Sequence, residues 1–196
     1  KSRMPEPLII VFLKALRPGA VKTRLAQSIG PEAACQAYDE MSRSILKTLR
    51  EFQHVQLRFT PDDAQPEIVP LLQPGWSIAP QGNGNLGDRM KRAIHETGGP
   101  AILIGTDCPA IEPSDLTEAR IALNDYPVVI GPARDGGYWL IGMCEYKPNL
   151  FQDINWSTET VFEETLTRAE QENLSVHLLR ELSDIDTEAD WKEWSG

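Results

Sequence analysis

Six short apolar runs punctuate the chain, at 8–13, 55–60, 101–104, 128–130, 138–143 and 176–179, and helix-length amphipathic stretches separate several of them. Runs of this length bounded by Gly, Pro and Asp are buried strands. Their alternation with helices predicts a mainly parallel α/β sheet with helices on both faces. The clearest helix spans about 32–50, where Ala33, Ala37, Met41, Ile45 and Leu49 fall every four residues along one stripe. Others are expected over 86–97, from Ser114 as a cap to about 123, and from Ser157 as a cap to about 171. Between 128 and 143 strand follows strand with no helix, which predicts an antiparallel excursion. The chain has 196 residues and no Gly/Ser-rich or charge-block linker, so it reads as one domain over 1–196, with 1–7 as a flexible leader.

A doubly wound sheet binds its ligands beyond the carboxyl ends of its strands, and this chain places its unusual residues there. The run 101–104 stops at Gly105 and continues Thr106-Asp107-Cys108-Pro109, which puts a lone carboxylate at a strand end as a candidate ligand for a hard cation. The first run is followed by PGAVKTRL, 18–25, in which Gly19 permits a tight turn and Lys22 and Arg24 supply charges suited to phosphate. It is not a P-loop, since Val21 stands where the Walker pattern needs glycine. A solvated loop with two surface cations fits the same residues.

Three further segments each admit two readings. QGNGNLG, 81–87, matches GxGxxG through Gly82, Gly84 and Gly87, and with Asp107 downstream it can be taken as a dinucleotide fingerprint of an NAD(P)-dependent oxidoreductase. The run before it is short and ends in Pro80, which favours instead a Gly/Asn-rich loop with Gln81 reading a nucleobase edge. ARDGG, 133–137, is either a hairpin turn or a close approach to a ligand, with Asp135, Gly136, Gly137 and Tyr138 lining an acceptor pocket. Asp184 and Asp186 alternate on an extended segment, so both face one side. They suit a second ligand for Mg²⁺ or Mn²⁺, or an acidic tail. Thr187 opens a short helix behind them.

Composition removes several classes. The net charge of −10 argues against a nucleic-acid partner. Cys35, Cys108 and Cys144 are odd in number and lack CxxC spacing, so neither a disulfide framework nor a zinc site is indicated. No apolar run approaches the roughly 20 residues that span a bilayer, and the amino terminus lacks a signal-peptide core. A cytoplasmic protein is expected, and a homodimer is compatible with the sequence. There is no HExxH and no Ser/His/Asp arrangement.

Taken in order, FLKALRPGAVKTRLA, QGNGNLGDRM, IGTDCPAI, GPARDGGYWLIG, INWST and LSDIDTEADW resemble the glycosyltransferase-A-like family related to molybdenum-cofactor guanylyltransferase and 2-phospholactate guanylyltransferase. The similarity is strongest to a bacterial branch known as a domain of unknown function. The resemblance covers nearly the whole chain. It implies a nucleotide-diphospho-sugar transferase fold and a metal-dependent transferase. Such an enzyme uses a nucleotide sugar or nucleoside triphosphate and passes a glycosyl or nucleotidyl group to an unidentified acceptor. It further implies that Leu13, Gly19, Lys22, Arg24, Gln81, Gly87 and Thr106 hold the nucleotide. Lys22, Arg24 and Asp107 then carry catalysis, and Asp107 with Asp186 holds Mg²⁺ or Mn²⁺. The chain departs from the family in two places: a single glycine, Gly19, precedes the basic residues, and TDC has one acid where many relatives carry DxD. A non-catalytic nucleotide-binding domain is the alternative outside enzymology.

Overall fold

The computed structural model describes residues 4–196. Seven strands form one sheet: β1 (Leu8–Lys14), β2 (Val55–Thr60), β3 (Ser77–Pro80), β4 (Ala101–Ile104), β5 (Val128–Pro132), β6 (Tyr138–Met143) and β7 (Val176–Leu178). Their order is β3-β2-β1-β4-β6-β5-β7. All neighbours are parallel except β6, which runs antiparallel to β4 and β5, as the helix-free stretch predicts. Central β1 has paired neighbours on both edges and buries both of its faces, which is why it is apolar from Ile9 to Leu13 without alternation.

Ile9, Val11 and Leu13 face one core, which α2 (Pro31–Thr48) and α5 (Pro113–Ala122) cover with Ile45, Leu46, Leu116 and Ala119. Ile10 and Phe12 face the other, covered by α4 (Leu86–Thr97) and α6 (Val161–Gln171) with Met90, Ala93, Ile94 and Ala169. A third cluster joins α1 (Thr23–Ile29), the first half of α2 and α7 (Glu188–Ser195) around Leu25, Tyr38, Met41 and Ile185. The remaining helix, α3 (Gln65–Ile68), is a single turn.

Several expected boundaries move. PGAVKTRL is not all loop, since α1 begins at Thr23 directly after Lys22. Helix α5 starts at Pro113, a residue favoured in the first turn, and Asp115 accepts the Glu112 N–H there, so Ser114 is not the cap. Ser157 is no cap either. It lies at φ 63° in a loop, and α6 begins four residues later at Val161. The short run before QGNGNLG is a true strand at the sheet edge, β3. The first three residues of the expected leader lie outside the described residues. Of the rest, Pro7 is buried, Met4 packs on the core and Glu6 pairs with Arg120 at 2.6 Å.

Candidate active site at the carboxyl edge of the sheet

The parallel register aligns the carboxyl ends of β1, β2 and β4, and the loops leaving β1 and β4 border one cleft of about 410 Å³. Leu13, Lys22, Gln81, Thr106, Asp107 and Tyr138 all line it. Its inner wall is pinned by a relay of hydroxyls. The Lys14 N–H donates to Tyr38 Oη at 2.8 Å, Tyr38 Oη lies 2.9 Å from Thr106 Oγ1, and Thr106 donates to the Phe12 carbonyl at 3.2 Å. This ties the ends of β1 and β4 to α2, so Thr106 braces the wall from which Asp107 projects.

Lys22 occupies the left-handed region at φ 49°, ψ 49°, just ahead of α1. That conformation turns its side chain into the interior, where it is 4% exposed. Its Nζ donates to Asp107 Oδ1 at 2.7 Å, to the Ile185 carbonyl at 2.5 Å and to Asp186 Oδ1 at 3.3 Å. Burial opposes the charge, but Asp107 and Asp186 outweigh it and hold the ammonium above its ordinary pKa. The two carboxylates singled out from the sequence therefore meet at one lysine. Ile185 N–H also donates to the Asp107 carbonyl at 2.9 Å, which draws the carboxyl-terminal segment onto the β4 loop.

A second acidic centre adjoins the first. Asp135, Asp184 and Asp186 each bring a carboxylate oxygen, and the three lie within 4.8 Å of one another. Burial, with the neighbouring Asp135 carboxyl adding to it, pushes the Asp184 carboxyl up to about 8. The Cys108 thiol donates to Asp184 Oδ1 at 2.7 Å, and burial with the nearby Asp184 raises the thiol far above its ordinary range, so it stays protonated. Crowded oxygen donors short of positive charge are the donor set that a hard divalent cation satisfies, so these residues fit Mg²⁺ or Mn²⁺.

The other expected residues are placed as follows. Arg24 is exposed on the first turn of α1, outside the cleft lining, with its charge felt at Asp190. Gly19 sits in the preceding turn at φ 84° with open space around it, so it is glycine for its backbone angle. The Gln81 amide is fully engaged: Nε2 donates to the Leu13 and Arg58 carbonyls and Oε1 accepts from Arg89, so the side chain joins strand ends instead of offering both groups to a base.

The glycines of QGNGNLG are likewise explained by the protein's own structure, Gly82 and Gly84 by their backbone angles of φ 76° and 105° with side chains close by, and Gly87 by the Trp156 ring. A Cβ at Gly82 would lie 2.5 Å from Arg92, at Gly84 2.7 Å from Asp88, and at Gly87 2.6 Å from Trp156. The motif follows an edge strand and not the strand at the reversal of order, and its glycines make room for the protein's own side chains. The dinucleotide reading thus loses its physical basis. At the β5–β6 hairpin the close approach is by protein backbone, since a Cβ on Gly136 would fall 2.0 Å from the Glu159 carbonyl oxygen. Gly137 N–H donates to Asp135 Oδ1 at 2.8 Å, which forms the turn that aims Asp135.

Three contributors escape the sequence reading: Cys108, Lys14 and Ser157. Cys108 and Asp184 are 76 residues apart and meet only through the fold. Lys14 and Ser157 line the cleft, the first one residue past the buried run of β1 and the second from the loop behind β6. Tyr138 was expected and does face the cleft, with Met90 Sδ at 3.8 Å beside its hydroxyl.

Residues 46–158 match the family described as "Uncharacterized protein conserved in bacteria (DUF2064)". A comparison with curated proteins finds no match. Among solved structures, a "putative nucleotide-diphospho-sugar transferase" from Desulfovibrio desulfuricans G20 is 32% identical, with 94% of this chain and 84% of that chain covered and a TM-score of 0.86. The inositol-1-phosphate CTP transferase from T. maritima shares 13% identity over 98% of this chain and 96% of its own, with a TM-score of 0.61. A manganese complex of Rv0371C from Mycobacterium tuberculosis H37Rv shares 13% identity over 96% and 97%, with a TM-score of 0.52. The last two are alike in fold alone. By sequence and by structure, then, this chain belongs to the bacterial DUF2064 family and has the nucleotide-diphospho-sugar transferase fold.

Proposed function

We propose that this protein is a metal-dependent transferase. It takes a nucleoside triphosphate or nucleotide sugar and passes its nucleotidyl or glycosyl group to a small-molecule acceptor. The observation that carries this reading is the convergence of Lys22, Asp107 and Asp186, from three distant segments, at the carboxyl edge, where Lys22 and Asp107 line one cleft and Asp186 meets the lysine behind them. The name of the 32% identical relative points the same way.

Asp107, Asp135, Asp184 and Asp186 would hold the cation, which when bound would offset the phosphate charge and ease departure of pyrophosphate or nucleoside diphosphate. The chain's own residues do the rest by position. Lys22 stands beside the same ligands and, once freed from its carboxylate partners, would donate to phosphate oxygens, and Arg24 on the adjoining turn supplies a second donor. Backbone of the 81–87 loop borders the base, held by Arg92, which donates to the carbonyls of Gln81 and Asn83 at 2.6 and 2.8 Å. Asp135 and Tyr138 border the acceptor side. No protein nucleophile is required, since both transfers proceed by direct displacement with electrostatic stabilisation.

A thermal-shift panel of nucleoside triphosphates and nucleotide sugars, each with and without Mn²⁺, tests the reading. Stabilisation by one nucleotide class only when Mn²⁺ is present is expected. Stabilisation that ignores Mn²⁺ supports a binding domain without turnover, and a response to NADH alone supports the oxidoreductase. Product analysis then separates the two transfers, because nucleotidyl transfer releases pyrophosphate and glycosyl transfer releases the nucleotide.

A further inference from the structure

We propose that the Lys22 ammonium is a resident counter-ion of the acidic site, exchanged when a divalent cation enters, so that metal uptake releases Lys22 to the phosphates of the incoming nucleotide. This rests on the metal-dependent reading above and adds an order of events to it. An ammonium has three N–H donors, and all three of Lys22 are spent on Asp107, Asp186 and the Ile185 carbonyl. In this arrangement none is left for a phosphate.

The side chain is also 4% exposed, so it reaches a ligand only by leaving its present partners. Lys22 is the one cation within ion-pair distance of Asp107 or Asp186 among the described residues, and Asp186 belongs at once to the lysine and to the triad with Asp135 and Asp184. A dication on Asp186 and an ammonium on the same carboxylate repel each other at short range. The lysine is therefore a competitor for the metal and, once displaced, a free cation beside the metal-bound phosphates.

The test is calorimetric titration of Mn²⁺ into the full chain without nucleotide, for the wild type and for Lys22→Met, with circular dichroism to verify folding. Lys22→Met is expected to bind Mn²⁺ at least tenfold more tightly than the wild type while binding Mn²⁺-pyrophosphate at least tenfold more weakly. Lys22→Gln, which keeps a donor for the Ile185 carbonyl, replaces Lys22→Met if the latter does not fold and is expected to shift both affinities in the same directions. Mn²⁺ binding that is equal or weaker in the variant overturns the exchange and leaves the metal site standing. Absence of Mn²⁺ binding in every protein overturns the exchange, and absence of Mn²⁺-pyrophosphate binding as well overturns the metal-dependent reading with it.

Discussion

At the scale of single residues, the site joins groups whose chemistry is visible in isolation to others whose importance is purely spatial. Asp107 and Asp186 can be picked from the sequence because one ends a buried run and the other alternates with a second acid. Asp184 takes its character from burial and from Asp135 and Cys108, which only folding brings near. Two expectations follow. The Asp107 side chain is 58% exposed, so Asp107→Asn should leave the fold intact and remove Mn²⁺-dependent nucleotide binding, as read by calorimetric titration. The Asp184 carboxyl rises from 3.8 in the unfolded chain to about 8 when folded, so folding takes up a proton between those values. Its contribution is full below the ordinary carboxylate range and is lost as pH rises towards about 8, by at most about 1.4 kcal/mol per pH unit. With a chelator present, Asp184→Asn should therefore raise the melting temperature near pH 8, change it less near pH 5, and flatten the profile between them. An unaltered profile would remove Asp184 from the buried acidic centre.

At the scale of elements, the buried strands and the long helices are legible in the sequence, and the edge strand, the short first helix and the helix starts are not. Each of the six apolar runs is a strand, because burial on both faces of a parallel sheet writes itself as a continuous apolar run. Edge strand β3 carries no such mark, since none of its four residues is fully buried. Helix α1 is seven residues long and lacks a side-chain cap, so PGAVKTRL looks like loop throughout. The glycines mislead most: GxGxxG is a backbone permission that a dinucleotide fold and this loop use for different ends, and only the neighbours Arg92, Asp88 and Trp156 tell them apart. The hairpin carrying Asp135 offers the strongest test. Gly136→Ala combines φ 93° with a clash against backbone that cannot rotate away, and should destabilise the protein by about 3 kcal/mol or more in urea unfolding. Asn85→Ala is a graded companion. It removes the side chain that accepts the Asp88 N–H at 2.9 Å and caps α4, and should cost about 1 kcal/mol.

At the scale of the whole molecule, one sheet carries two apolar clusters on its faces, α2 links the first of them to a third, and the cleft borders all three. The wall of the cleft uses Tyr38 from the third cluster and Leu13 from the first, while Met90 and Tyr138 come from the second. The acidic centre depends on Ile185, which packs with α1, α2 and α7 and whose backbone binds both Lys22 and Asp107. Loss of any one cluster should therefore dismantle the site, and the chain should unfold as a single unit. The tryptophans make this measurable. Trp76 and Trp139 lie in the first cluster, Trp156 packs on the second, and Trp191 and Trp194 pack on the third. Tryptophan emission and far-ultraviolet circular dichroism should give coincident denaturant transitions. In a variant with Trp191 and Trp194 replaced by Phe, whose emission reports the sheet clusters alone, the two curves should still overlay. An earlier transition in the wild-type emission that vanishes in this variant would show α7 detaching on its own. The carboxyl-terminal aspartates would then belong to a segment that docks on the sheet and not to its cooperative core.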